Sequence, residues 1–342
     1  MKEVLIYKKL KDKKVQCHVC NHYCTILPDK RGICGVRENK DGTLYFLAYA
    51  KAVAENVDPI EKKPLFHFLP GTQSLSIATV GCNFRCDNCQ NWQISQASKS
   101  KDYKDLNIFG EDLPPEKVIL DAKANHCPSI SYTYTEPTIF MDYALDCMKL
   151  AHKAGIKNVW VSNGYMSKET LDLVSPYLDA TNIDLKFFDN QSYLKICGAK
   201  LNPILENLKE MRKRKIWLEL TTLVIPTLSD NEEMFEKIAR FIKEELGPEV
   251  PWHVSAFSPE ISYKLQGLPA TEAKTLEKAY KIGKKAGLKY VYSGNIPGMD
   301  SENTYCPKCN ALVIKRVGYF IERKDKNGKC PKCGASLDLI LK

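Results

Sequence analysis

Three cysteines within eight residues constrain this chain more than any other feature of its sequence. Cys82, Cys86 and Cys89 stand in the run GCNFRCDNCQNW, and the next cysteine along the chain is Cys127. Four thiolates normally hold an iron–sulfur cluster or close a tetrahedral zinc site. A C-x3-C-x2-C run without a fourth local cysteine therefore indicates a cubane [4Fe–4S] cluster with one iron open to an outside ligand. The alternatives are a three-cysteine zinc knuckle and cysteines that only pack.

The chain carries 14 cysteines, and most of them are clustered. In a protein without a secretory signal, such clusters predict metal ligands before disulfides. Eleven of the cysteines form a central trio, an N-terminal quartet and a C-terminal quartet: Cys82, Cys86 and Cys89; Cys17, Cys20, Cys24 and Cys34; Cys306, Cys309, Cys330 and Cys333. The remaining three, Cys127, Cys147 and Cys197, lie singly in apolar stretches, where we expect small buried side chains.

Composition and charge exclude some classes of protein. With 44% hydrophobic and 27% charged residues, the 342-residue chain has the composition of a soluble globular protein. No apolar run approaches the roughly 18 residues that span a bilayer, and the N-terminal apolar patch precedes its lysines, the reverse of a secretory signal. We therefore expect a cytoplasmic protein with no membrane partner. The net charge of +9 falls to about +4 with three metal–thiolate sites filled, and the lysines are scattered, so nucleic acid is not indicated.

Strand-like and helical patterns alternate between about residues 72 and 293. The helical stretches carry apolar residues three and four positions apart, as in Met234, Ile238, Phe241 and Ile242. Such alternation predicts βαβ units and a parallel sheet, here an α/β fold with an incomplete (β/α)6 barrel. The trio directly follows the first strand, at the edge where barrel enzymes place their chemistry. The expected strands are 74–80, 129–135, 158–163, 181–187, 217–225, 252–257 and 289–293.

Cysteine-rich segments flank this barrel. We expect an N-terminal extension at 1–71, a core at 72–300 and a zinc-ribbon-like segment at 301–342. The C-terminal quartet has the spacing C-x2-C-x20-C-x2-C, which predicts a closed structural zinc site, although rubredoxin-type iron uses the same ligands. The N-terminal quartet fits zinc or a second iron–sulfur cluster. His18 and His22 are interleaved with its cysteines, so a histidine is an alternative ligand there.

The trio resembles the signature of the radical S-adenosylmethionine (SAM) enzymes. In that family the open iron binds SAM, and an electron from the cluster cleaves SAM to methionine and a 5′-deoxyadenosyl radical that abstracts hydrogen from a substrate. End to end, the chain resembles the radical SAM component of the AmmeMemoRadiSam system, which is related to pyruvate formate-lyase activating enzyme. The matching stretches are CHVCNHYC, DPIEKKPLFHFLPG, GCNFRCDNCQNWQISQ, SYTYTEPTIF, VSNGY, TNIDLKFF, TTLVIPTLSDNEE, GNIPG and the CPKC pair.

The resemblance implies that residues after successive strands hold SAM. Thr135 and Glu136 stand where the family commonly has Gly-Gly-Glu-Pro, and Asn163 stands in a Ser-Asn-Gly resembling the family's Thr-Asn-Gly. Asp184 and Lys186 match an Asp-Leu-Lys that contacts SAM and a bound cation in the activating enzyme. The alternatives are a turn glutamate, an ordinary Asn-Gly turn and a structural ion pair.

Three further residues are expected at the cofactor. Asn88 and Gln90 flank the last cysteine of the trio. Activating enzymes carry a histidine after a late strand, where this chain has Ser258, so His253 is a candidate substitute or a core histidine. The stretch 58–71 faces substrate or partner, or is a solvated linker.

These observations favour a radical SAM enzyme with an unidentified substrate, and the resemblance to activating enzymes suggests activation of a glycyl radical enzyme. Its expected partners are an electron donor such as flavodoxin or ferredoxin, and a protein substrate or the AmmeMemoRadiSam partner proteins. The alternatives are radical modification of RNA or protein, and a non-enzymatic zinc-ribbon adaptor whose central trio is also structural.

Overall fold

The structure, a computed structural model, describes residues 1–99 and 108–342. Its central sheet has eight strands, seven of them parallel, and neighbouring strands follow the order of the chain. The strands are β1 (Ala54–Pro59), β2 (Gln73–Ala78), β3 (Ser129–Tyr132), β4 (Lys157–Ser162), β5 (Ala180–Asp184), β6 (Trp217–Val224), β7 (Trp252–Ala256) and β8 (Val291–Gly294). Within the described residues β1 and β8 are the two edges of the sheet and do not pair with each other, so the sheet is an open barrel that does not close on itself.

Six helices connect the seven parallel strands, as the sequence predicts for an incomplete (β/α)6 barrel. In the fifth helix the side chain of Asn231 caps the first turn by accepting a hydrogen bond from the Met234 N–H. Its apolar face includes the fully buried Ile238, and the Phe235 ring on the same helix lies edge-on to Trp252 of the sheet, with ring centres 6.3 Å apart. The helices are α1 (Pro115–Ala124), α2 (Met141–Lys153), α3 (Lys168–Val174), α4 (Asn202–Lys213), α5 (Glu232–Phe241) and α6 (Ala273–Ala286). No helix in the described ranges is long and apolar enough to span a membrane.

Short elements build the flanking segments and the loops. The N-terminal segment has strands at Lys2–Glu3, Tyr7–Lys9, Val15–Cys17, Thr25–Ile26, Arg37–Lys40, Thr43–Phe46 and Lys51–Ala52, the last paired with Glu111–Asp112; the C-terminal segment has strands at Thr304–Tyr305, Leu312–Val317 and Phe320–Arg323. Short helical turns cover Ile60–Lys62, Trp92–Ser95, Ala97–Lys99, Pro137–Phe140, Asn190–Ser192, Tyr193–Cys197, Ile242–Leu246, Pro259–Ile261 and Asp300–Glu302. The N-terminal segment shares one hydrophobic core with the barrel, whereas the C-terminal quartet has a small core of its own.

Residues 60–71, here called the floor segment, close the end of the barrel where the parallel strands begin. Glu219, the third residue of β6, accepts hydrogen bonds from the backbone N–H groups of Phe66 (2.9 Å) and His67 (2.8 Å). Asn182, the third residue of β5, donates to the Pro64 carbonyl at 2.8 Å. The solvated-linker alternative is therefore wrong, because the segment is buried between the sheet and the C-terminal segment.

Lys63 extends from the floor segment into the barrel. It is 1% exposed, its ammonium lies 2.6 Å from the Asp58 carboxylate, and it lies 4.6 Å from the centre of the Tyr134 ring. Burial lowers the pKa of Lys63 to about 8, although the hydrogen bond to Asp58 opposes that shift. The interior of the barrel is thus polar and charged where the floor meets it.

The C-terminal segment packs beneath the floor segment, at the end of the barrel opposite the central trio. His67 Nδ1 donates to the Leu337 carbonyl at 3.1 Å, and Arg316 Nη2 donates to the Phe66 carbonyl at 3.0 Å. Ile340 pairs with Phe68 in a short bridge. Since Arg316 is itself 1% exposed, the last forty or so residues are part of how the barrel is closed.

Acidification is expected to weaken this floor through His67. Burial lowers the pKa of His67 to about 4, from a reference value of 6.5. Between pH 6.5 and pH 4 the unfolded chain binds more protons at His67 than the folded chain does. The contribution of the neutral, buried His67 to stability is therefore complete above about pH 6.5 and falls as the pH drops toward 4. From pH 7 to 5.5 we expect a loss of about 1 kcal/mol that the His67→Gln variant does not show. Denaturant unfolding at the two pH values measures it; equal pH slopes in the two proteins would contradict the prediction.

Candidate active site

The central trio occupies the loop that follows β2, at the carboxyl end of the parallel strands. Gly81 begins the loop with φ +104°, and a Cβ atom there would lie 2.7 Å from Val36 Cγ1 and 3.1 Å from the Cys34 carbonyl oxygen. Only glycine fits this approach. The Phe84 N–H donates to the Cys82 sulfur at 3.3 Å. The loop is thus fixed against the N-terminal segment with its first sulfur already hydrogen-bonded.

The turn at residues 193–197 holds the other side of this loop. The Arg85 and Asp87 N–H groups donate to the carbonyls of Cys197 and Ile196, both at 3.1 Å. The Cys197 thiol lies beside Cys86 and, together with burial, raises the pKa of the Cys86 thiol. Cys197 is fully buried, as expected from its apolar surroundings. Its place beside the trio was missed, because nothing in its spacing links it to residues 82–89.

The buried side chain of Glu136 connects its own loop with the loop after β4 and, through Asn163, with the cysteine loop. Its carboxylate is 1% exposed and accepts hydrogen bonds from the Thr138 hydroxyl (2.6 Å), the Ser162 hydroxyl (2.8 Å) and the Asn163 N–H (2.8 Å). Burial raises its pKa, against the effect of these bonds. Asn163 Nδ2 in turn donates to Asn83 Oδ1 at 2.7 Å. The structure therefore uses Glu136 and Asn163 to brace the cysteine loop, and their contact with SAM stays a prediction.

A strained turn leads into Glu136. Tyr134 has φ 61°, in the left-handed region that costs a non-glycine residue of order 1–3 kcal/mol. Asn91 Nδ2 donates to the Tyr134 carbonyl at 2.7 Å, and Thr135 Oγ1 donates to the Thr79 carbonyl at 2.8 Å. These bonds hold a glycine-like conformation at the position where the resembled family has glycine. The turn thus keeps Thr135 beside the β2 end.

Asp184 and Lys186 form an ion pair beside the trio. β5 ends at Asp184, and the Lys186 ammonium lies 2.7 Å from the Asp184 carboxylate. Burial disfavours the charged form of Lys186, but Asp184 and the Cys86 thiol outweigh burial and raise its pKa. The ion pair expected as the structural alternative is therefore present. It stands close to a ligand cysteine and remains partly exposed, so a contact with cofactor stays a prediction.

The other three candidates have different surroundings. Asn88 is 8% exposed, and its Oδ1 has no hydrogen-bond partner among the described residues, whereas Gln90 is exposed. His253 Nε2 donates to the buried Glu219 carboxylate at 2.7 Å, and His253 packs edge-on against Phe66. Burial opposes ionisation of Glu219, but the bond from His253 outweighs it and lowers the Glu219 pKa. The structure thus places His253 with the floor segment and does not bring it to the cysteine loop.

The residues of this loop fit an iron–sulfur cluster. Burial raises the pKa of the Cys82 and Cys89 thiols, so a metal must displace their protons on binding. The Ser95 hydroxyl lies 3.2 Å from the Cys89 sulfur. The unpartnered Asn88 oxygen is a buried polar atom that the fold leaves for a ligand. Three thiols, a lysine and an amide oxygen that has no partner in residues 1–99 and 108–342 thus lie in the loops at one edge of the barrel.

The four sulfurs of the C-terminal quartet lie close together. In the C-terminal quartet the four sulfurs all lie within 4.8 Å of one another, with the Cys306–Cys333 and Cys309–Cys330 pairs at 3.6 Å. Zinc–sulfur bonds of about 2.3 Å place tetrahedral sulfurs about 3.8 Å apart, so this quartet is already arranged for one metal ion. Across residues 1–99 and 108–342 it is the one group of metal-binding side chains this close together.

An open α/β barrel with three cysteines in its first βα loop defines a radical SAM type of enzyme. The chain belongs to the radical SAM superfamily, whose family model matches residues 76–242. It is 44% identical to the uncharacterized protein MJ0808 of Methanocaldococcus jannaschii over 100% of both chains. It is 22% identical to the pyruvate formate-lyase-activating enzyme of Clostridium pasteurianum over 63% of this chain and 92% of that enzyme. The solved structure of Streptococcus suis SuiB bound to precursor peptide SuiA matches with a TM-score of 0.51 and 13% identity, over 70% of this chain and 52% of SuiB.

This membership settles the class of protein. The chain is a radical SAM enzyme, a family that uses a [4Fe–4S] cluster and SAM, and the zinc-ribbon adaptor alternative is wrong. The matched residues 76–242 contain the trio and every SAM candidate except His253. Both quartets lie outside them.

Proposed function

We propose that this chain cleaves SAM reductively at a cluster held by Cys82, Cys86 and Cys89 and uses the resulting radical to take hydrogen from a polypeptide. The observation that carries the proposal is the three-cysteine loop fixed at the carboxyl end of β2. When bound, the cluster supplies the electron and the open iron for SAM. Cys82, Cys86 and Cys89 would hold the other three irons as thiolates, and the hydrogen bonds of the loop keep the loop that carries these cysteines in place.

The surrounding side chains bind and orient the cofactor in this proposal. Lys186, kept charged by Asp184, offers a cation to the SAM carboxylate. Asn88 offers its unpartnered oxygen to a donor of the cofactor. Glu136 acts through the loops it joins and keeps the residues around Asn163 in place.

For the substrate, we propose a glycyl radical enzyme that this chain activates. Support comes from the likeness to a pyruvate formate-lyase-activating enzyme over 92% of that enzyme's length. A flavodoxin or ferredoxin serves as electron donor, and the AmmeMemoRadiSam partner proteins are further candidates for the substrate. The C-terminal quartet binds zinc and stabilises the segment beneath the floor, away from this chemistry.

Anaerobically reconstituted protein tests the central proposal. With dithionite as the reductant, we expect SAM to be converted to equal amounts of 5′-deoxyadenosine and methionine, quantified by chromatography. A brown protein with a full cluster that produces neither product would contradict it. Adding a glycyl radical enzyme and SAM to the reduced protein tests the substrate: a glycyl radical signal in electron paramagnetic resonance (EPR) is expected, and its absence with active cleavage would exclude that substrate.

The ion pair beside the trio has its own expected phenotype. Asp184→Asn and Lys186→Met should keep the cluster spectrum and weaken SAM binding by roughly 1–3 kcal/mol, because a charge-assisted contact is lost. Titration calorimetry with SAM measures the change, and Lys264→Met, which removes an exposed partner of Asp87, is the control. Normal SAM binding in both variants would contradict the assignment, and loss of cluster in both would assign the pair a structural role.

A further inference from the structure

The N-terminal quartet forms a second buried sulfur site. Its four cysteines line one pocket, and three of them, Cys17, Cys20 and Cys34, are at most 9% exposed. Both ring nitrogens of His18 are engaged elsewhere, with Glu169 (2.9 Å) and Gln16 (3.1 Å). His18 is therefore engaged outside the pocket. His22 does line the pocket, and its Nε2 donates to the Asn83 carbonyl at 3.0 Å, so the four thiols are taken as the donor set.

Hydrogen-bond donors without a partner among the described residues in the pocket wall indicate that the pocket binds a negatively charged group. Arg37 is 2% exposed; one of its nitrogens binds Asp142 at 2.6 Å, yet its Nε and Nη1 have no partner among the described residues. Asn83 Nδ2, also in the wall, is buried and unpartnered in the same part of the chain. Buried N–H groups are rarely left unpaired. A metal–thiolate group with net negative charge would satisfy them.

The spacing of the sulfurs distinguishes a cluster from a single ion. Four thiolates on one zinc lie about 3.8 Å apart, and the C-terminal quartet shows that arrangement. Within the described ranges, neither the N-terminal quartet nor the central trio brings three sulfurs within 4.8 Å of one another. A cubane spreads its ligands over separate irons and so holds their sulfurs farther apart. Among the described residues, the quartet and the trio thus both lack the close, single-ion arrangement of the C-terminal quartet.

We propose that Cys17, Cys20, Cys24 and Cys34 hold a second [4Fe–4S] cluster. Four thiolates occupy all four irons, so this cluster carries electrons and does not bind SAM. It lies directly against the loop of the trio: Asn83, next to Cys82, is part of its pocket, and His22 Nε2 donates to the Asn83 carbonyl at 3.0 Å. The proposal stands apart from the SAM cleavage proposed above, because a closed cluster can be present whether or not the central one reacts.

Metal analysis of the wild-type protein tests this directly. After anaerobic purification and reconstitution we expect about eight irons, eight sulfides and one zinc per chain. About four irons with two zincs would overturn the proposal. In the reduced protein we expect EPR signals from two clusters, of which SAM alters one; a single signal that accounts for all the iron would also overturn it.

Variants locate the second cluster. Cys17→Ala/Cys20→Ala should lower the iron content by about half and remove the signal that does not respond to SAM. The control is Cys127→Ala, a buried cysteine outside the three groups, which should keep both signals. If the double variant retains both signals, the proposal is wrong. If wild type shows two clusters but no cleavage of SAM, the proposed function fails while this inference stands.

Discussion

Replacing Cys86 by alanine is expected to remove the central cluster and abolish cleavage of SAM. Cys86 is the middle ligand of the trio, and two thiolates from Cys82 and Cys89 cannot hold a cubane whose fourth iron must stay open. The iron that responds to SAM should be lost, and 5′-deoxyadenosine should fall to background. Iron analysis, EPR and chromatography on the same anaerobic sample measure all three effects.

A second variant, at the neighbouring Cys197, tests whether one iron of the central cluster is open. Its thiol lies beside Cys86, so the structure offers a fourth sulfur. If one iron is open, Cys197→Ala keeps the central cluster and its response to SAM. Loss of the cluster in Cys197→Ala would identify a fourth ligand and contradict the open-iron hypothesis, whereas Cys127→Ala should behave as wild type in either case.

Glu219→Ala is expected to lower the free energy of unfolding by about 3–5 kcal/mol, because it removes the acceptor of a buried, charge-assisted network. The carboxylate is fully buried and accepts from two backbone N–H groups of the floor segment, from Trp217 Nε1 and from His253. Removing it leaves these four donors unpaired, and those of Phe66, His67 and His253 belong to buried residues. Denaturant unfolding of the anaerobic protein, followed by tryptophan fluorescence, measures the change.

An exposed glutamate provides the matched control. Glu233 on α5 is 76% exposed at its side chain and pairs with Lys237 one turn away. Glu233→Ala should change stability by less than about 1 kcal/mol, since exposed pairs contribute little. If Glu219→Ala also stays within 1 kcal/mol, the carboxylate does not hold the floor segment in place.

The barrel was predictable from sequence because its signal is local and repeated. The seven parallel strands fall at the expected positions, since buried strands and amphipathic helices alternate with their own periods. β1 was missed, because the run AENVDP is largely exposed and pairs only at the sheet edge. The sheet therefore starts at Ala54, ahead of the expected boundary at 72.

The residues of the site could be predicted only where the sequence spacing of the cysteines indicates metal binding. The trio and the C-terminal quartet are recognisable because metal ligands recur at short, fixed intervals. The roles of Cys197, Glu219 and Lys63 depend on contacts between residues far apart in the chain, as in the 153-residue separation of Phe66 and Glu219. No local pattern encodes such contacts, so His253 was an equal candidate for the cofactor until its partner was seen.

The closure of the floor by the C-terminal segment has a consequence for how the protein is made. Phe68 packs against Ile340, whereas the N-terminal quartet and the trio all lie within the first 89 residues. During synthesis the sulfur ligands therefore leave the ribosome long before the barrel can be completed. Until residues 301–342 have been synthesised, the apolar side chains of residues 60–71 lack the cover that this segment provides, and exposed apolar surface of this kind promotes aggregation.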